Sequence, residues 1–129
     1  MNKSILITAA ILGILSIILG AFAAHGLKKV IPAESIATFE TGVKYQMYHA
    51  LFLLFVGSSS YVSLTYQKII LYLVIIGVVL FSGSIYALAT NTLTSFDFKK
   101  IGFVTPIGGL LLILSWVFLL INFLKINSN

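Results

Sequence analysis

Long apolar runs broken by short polar clusters dominate the chain, and they recur at about residues 5–24, 42–61, 69–89 and 101–124. Each covers about 20 residues, which at a rise of about 1.5 Å per residue matches a hydrocarbon layer about 30 Å thick. Backbone N–H and C=O groups left unpaired in hydrocarbon cost several kcal/mol each, so runs of this kind must be helical. A transmembrane β-barrel would instead show shorter segments of alternating polarity. The pattern predicts an all-α transmembrane four-helix bundle, with residues 1–129 forming a single integral membrane domain.

The first run has a competing reading. Lys3, the apolar stretch and Ala21-Phe22-Ala23 together have the outline of a signal peptide with a small-residue cleavage site. The run is long for that purpose. It also carries Ala9 with Gly13, and Ser16 with Gly20 and Ala24, at four-residue spacing. Small residues so placed form a face on which helices approach closely in lipid, so a retained helix is expected. Between the first two runs, Ile36, Phe39, Val43 and Met47 follow Pro32 at near-helical spacing, with Glu34, Ser35, Thr38, Glu40 and Thr41 between them. This fits a short interfacial amphipathic helix before the second span, and equally an ordinary helical connector. Short polar turns are expected at residues 65–68 and 90–100.

Composition sharpens this picture. The 129 residues are 60% hydrophobic and 9% charged, with a mean hydropathy of +1.12. A soluble domain needs nearer a quarter of its residues charged. The net charge of +5 does not point to nucleic acid, because the lysines sit at the ends of apolar runs and not along a basic stripe. There they meet anionic lipid headgroups, at about 1 kcal/mol each. Membrane lipids are therefore the expected partners, in a multi-pass cell-membrane location. No cysteine is present, which removes disulfides and thiolate ligands. Lys28, Lys29, Lys44, Lys99 and Lys100 fall on one side and Lys3, Lys68 and Lys125 on the other. The positive-inside rule then places the first and third loops in the cytoplasm and both termini outside.

Candidate chemistry gathers toward the lysine-richer side. His25 closes the first run; Tyr45, Gln46 and His49 lie in the second; Ser82, Ser84 and Tyr86 in the third; Thr105, Pro106 and Gly109 in the fourth. The opposite halves read as almost purely aliphatic and aromatic. On the second helix Gly42, Gln46 and His49 share one face, which should turn away from lipid. Such groups either hydrogen-bond across helices as packing contacts or line a vestibule that binds or conducts. His25 before a glycine reads as a helix C-cap, or as one of two histidines that with His49 hold haem or a metal. Pro106 with Gly108 and Gly109 permits a kinked or broken helix, or simply a proline in a first turn. Trp116, central in its run, is expected to pack within the bundle or against a neighbouring copy. No acidic or basic residue lies deep in a span, and no nucleotide-binding loop, nucleophile elbow or zinc-protease motif occurs. Neither catalysis nor a cofactor is expected.

Gly20–Leu27 (GAFAAHGL), Phe39–Leu51 (FETGVKYQMYHAL), Phe81–Leu88 (FSGSIYAL) and Thr105–Trp116 (TPIGGLLLILSW) resemble the domain-of-unknown-function 423 family. These are small four-helix membrane proteins of bacteria with eukaryotic relatives. The resemblance spans nearly the whole chain. It implies four membrane helices with the first retained, and brings no activity, substrate or cofactor. The expected function is support of membrane integrity or homeostasis without catalysis, through self-association, lipid or a partner protein. Two alternatives stand beside it: a small transporter or channel subunit with a polar vestibule around His49, and a haem- or metal-binding subunit.

Overall fold

The computed structural model describes residues 2–127, and among these the chain is all-helical. Four helices follow in order: α1 (Lys3–Ala24), α2 (Ala33–Ser58), α3 (Leu64–Ala89) and α4 (Val104–Leu124). Helices α1, α3 and α4 are each long and apolar enough to cross a membrane. Helix α2 has the length, 26 residues, but it carries Glu34, Glu40 and Lys44 in its first half and Gln46 and His49 in its second. It lies antiparallel along α1. A side chain added at Gly20 would meet Val43 at 3.5 Å, one at Gly13 would meet Ala50 at 4.0 Å, and the Asn2 amide donates to the Gly57 carbonyl at 2.7 Å.

The amphipathic stretch after Pro32 is helical, and it continues into the span without a break. Pro32 supplies the N-cap and Ala33 begins α2, so the interfacial segment is the first turns of α2 and not a separate element. Proline suits this place because its missing N–H and fixed φ cost nothing ahead of a helix. At the other end of the bundle the turn lies at residues 59–63, and the turn expected at 65–68 is helical instead, because Ser63 caps α3 by accepting from the Tyr66 amide. The third loop, between α3 and α4, is held by Asn91 and Asp97. The Asp97 carboxylate accepts from the Lys99 amide at 3.1 Å and from the Asn91 side chain at 3.2 Å. Those donors favour the charged form and hold its pKa below the usual carboxylate range.

Helices adjacent in sequence pack side by side, α1 on α2, α2 on α3 and α3 on α4. The main core joins Ile5, Leu53, Val56, Ile70, Val74 and Leu112 toward the end that holds the termini. A smaller cluster of Ala23, Leu27, Ile31, Phe39 and Ala89 seals the base of the first loop. Most of the small-residue face of α1 is spent within the chain: Ala9 and Ser16 are buried and Gly13 and Gly20 face α2, whereas Ala24 is exposed and its neighbour Ala23 is buried in its place. What α1 shows outward is bulky, with Ile7, Ile11, Ile14, Ile17 and Ile18 exposed, as are Ile107, Leu110, Ile113 and Leu120 on α4. Unbroken apolar faces of this extent are unsuited to water and suited to lipid.

The closest approach lies between α3 and α4. A Cβ on Gly108 would collide with the backbone of Leu80 and Phe81, whereas one on Gly83 would meet nothing within 4 Å. Backbone cannot yield as a flexible side chain can, so the helices would have to separate. Gly108→Ala should therefore destabilise the bundle by about 1–3 kcal/mol, while Gly83→Ala is expected to be neutral or slightly stabilising. Unfolding titrations of both variants in mixed micelles would check this contrast.

Candidate functional site

Polar side chains join each pair of neighbouring helices. Gln46 on α2 bonds two other helices and is only 4% exposed. Its Nε2 donates to the Leu12 carbonyl of α1 at 3.0 Å, and its Oε1 accepts from the Tyr86 hydroxyl of α3 at 2.7 Å. One amide thus bonds three helices. Beside it, the Ser82 hydroxyl of α3 donates to the Gly42 carbonyl of α2 at 2.8 Å. Gly42 has no room for a side chain, because a Cβ there would lie 2.7 Å from the Tyr86 ring. Ser84 and Thr105 share a hydrogen bond between α3 and α4.

His49 completes the set. Its Nδ1 lies 2.7 Å from the Tyr45 carbonyl, and the Trp116 indole of α4 donates to its Nε2 at 3.2 Å. A carbonyl can only accept and an indole N–H can only donate, so these partners assign the neutral ring with its proton on Nδ1. Trp116 packs on the Phe52 ring at a centroid distance of 4.1 Å and is half exposed on its other side. Between α2, α3 and α4 a cleft of about 320 Å3 opens over this pair, lined by Tyr45, His49, Phe81, Gly109, Ile113 and Trp116.

The expected cluster is therefore drawn together only in part, and it does not lie at one depth. His49 neighbours Ala50, which faces Gly13, so it lies halfway along α1 and not just inside the lysine-rich end. From Gly42 to His49 the polar contacts descend about 10 Å, seven residues at 1.5 Å each. They form a ladder of separate helix-to-helix bonds, with no common polar chamber. His25 stands apart: it caps α1 and its side chain is exposed. With Gly20 level with Val43, His25 lies about 7 Å above that level and His49 about 9 Å below it. The two histidines cannot share a metal or haem at that separation. Pro106 is the third residue of α4, in its first turn, where no backbone donor is lost and no break results.

A second polar group lies at the opposite end, in halves whose sequence reads as aliphatic and aromatic. The Asn2 side chain donates to Gln67 Oε1 at 3.3 Å, and Gln67 Nε2 donates to the Val62 carbonyl at 3.1 Å. Asn122 accepts from the Ser63 amide at 3.0 Å and donates to the Tyr61 carbonyl at 2.8 Å. These amides tie the N-terminus, the second loop and α4 together. Their sequence signal was a lone Gln and a lone Asn within a turn or two of the ends of apolar helices.

Because Gln46 and Tyr86 partner each other, their losses should not add. Gln46→Leu leaves the Tyr86 hydroxyl without its acceptor and should cost about 1–3 kcal/mol, whereas adding Tyr86→Phe recovers part of that loss. A double-mutant cycle on detergent-solubilised protein would measure the coupling; strict additivity would contradict the clasp.

Comparison with known proteins agrees with this architecture. Residues 19–109 match the family described as "Protein of unknown function (DUF423)". A UPF0382 membrane protein of Haemophilus influenzae is 35% identical over 128 residues, covering 99% of each chain. The UPF0382 membrane protein YwdK of Bacillus subtilis is 38% identical, covering 95% of this chain and 98% of its own. The UPF0382 inner membrane protein YgdD of Escherichia coli K12 is 35% identical over 99% of this chain and 95% of its own. No solved structure matches. The helices, their spacing and these full-length similarities lead to one conclusion: the chain belongs to the DUF423 family of membrane proteins.

Proposed function

We propose that the protein is a non-enzymatic membrane element that supports bilayer integrity through lipid contacts of its outer helix faces. One observation carries this reading. Among the described residues every buried polar side-chain atom has a hydrogen-bond partner inside the chain, while α1 and α4 keep bulky apolar faces with no partner. The buried polar groups are thus committed to holding helices together, and the surface offered to the surroundings is hydrocarbon. Lipid is favoured over further copies of the chain, because the small-residue face that would let two α1 helices approach is already covered by α2. The lysines at the helix ends add headgroup contacts. Their five-to-three split supports cytoplasmic first and third loops.

Deleting the gene in its host should raise dye leakage and lower membrane potential under osmotic or detergent stress, with recovery on complementation. An envelope unchanged under those stresses would overturn the reading.

A further inference from the structure

The cleft over His49 has a chemistry that the lipid-facing surfaces do not share. Its Nδ1 proton is committed to the Tyr45 carbonyl, so Nε2 presents its lone pair toward α4. Among the described residues its one donor is the Trp116 indole, at 3.2 Å, at the long end for a nitrogen donor. Trp116 is 50% exposed, and its outer side faces the surroundings of the bundle, so it has room to move aside.

A group that enters between the two rings must then satisfy both. It has to donate to Nε2 and accept from Trp116 Nε1. An ether, carbonyl or carboxylate accepts only, and an ammonium donates only. A hydroxyl does both. Its surroundings specify the rest of the molecule. Tyr45 meets Phe81 edge-on at 5.2 Å, and Trp116 is backed by Phe52, so the walls are aromatic. Aromatic walls favour a flat ring by stacked and edge-on contacts of about 0.5–1.5 kcal/mol each. The site lies level with the middle of α1, about 15 Å from either end of that helix. A ligand must therefore arrive from the hydrocarbon.

We propose that this cleft binds a membrane-dissolved phenol, of which a hydroquinone is the representative form, with its hydroxyl bridging Trp116 Nε1 and His49 Nε2. The ring lies between Trp116 and Phe81, and Gly109 leaves the floor of the cleft low. Binding is the whole of the proposal; no bond to the ligand forms or breaks. The site is separate from the lipid-contact reading and stands without it.

Trp116 is the only tryptophan, so full-length protein labelled with nitrogen-15 gives a single indole N–H signal from the group in question. Titration in micelles with decylhydroquinone, kept reduced, should move that signal saturably. Its dimethyl ether has the same ring and tail without the donor, and should bind about tenfold more weakly, the loss of about one hydrogen bond. Decanol, with a hydroxyl and no ring, should also bind more weakly than the hydroquinone. Equal shifts from hydroquinone and ether would reduce the effect to micelle partitioning and overturn the proposal. So would decanol matching the hydroquinone. His49→Phe should abolish the saturable shift; because the ether comparison uses the unaltered protein, the proposal remains falsifiable even if that variant does not fold.

Discussion

Inside hydrocarbon a polar side chain has no water to return to, and the placing of Gln46 follows from that constraint. Its amide must find a donor and an acceptor within reach, and it finds them on two different helices, the Leu12 carbonyl and the Tyr86 hydroxyl. Once both bonds are made, α1, α2 and α3 are fixed in height relative to one another. The Ser82 bond to the Gly42 carbonyl repeats the lock beside it, and the pairs Ser84–Thr105 and Trp116–His49 extend it to α4. Single bonds of this kind are worth only about 0.6 kcal/mol on average in membrane proteins. Their value here is register, since a slip of one turn would leave several of them broken together.

Register and close approach depend on each other. Gly42 admits the Tyr86 ring that reaches Gln46, and Gly108 admits the α3 backbone that brings Ser84 beside Thr105. Apolar packing between helices has no hydrophobic driving force within lipid, so contact area and hydrogen bonds must supply the cohesion. The amides of Gln67 and Asn122 do the same at the far end, where they bind the carbonyls and amide of the turn between α2 and α3. Polar bonds thus hold the bundle toward both ends, and the Ile5–Leu53–Val74 core packs beside the group at the end that holds the termini.

The consequence for function is a division between committed and uncommitted surface. Polar atoms inside the bundle are used up by one another. The outer faces of α1 and α4 are apolar and meet whatever surrounds the protein. Beside His49 the two meet, where a polar pair borders an open cleft.

Much of this was legible in residue order. Four apolar helices, the small-residue face of the first and the inward turn of Gln46 and His49 follow from composition and period, because hydrocarbon thickness and backbone hydrogen bonding leave helices little choice. The quoted segments also carried the family. Depth and partnership were not legible. The apparent vestibule became a ladder because the offset between helices is set by side-chain contacts such as Gly20–Val43 and Gly13–Ala50, which no single helix encodes. His25 and His49 looked like neighbours and lie about 16 Å apart in depth for the same reason. Gln67 and Asn122 are not legible as a group, since each is isolated in its own run and acquires meaning only where the chain folds back upon it. Local sequence determined what each helix is and which of its faces avoids lipid; only the packed structure decided which polar group finds which partner, because hydrogen bonds between helices require a height and rotation that are properties of the assembly.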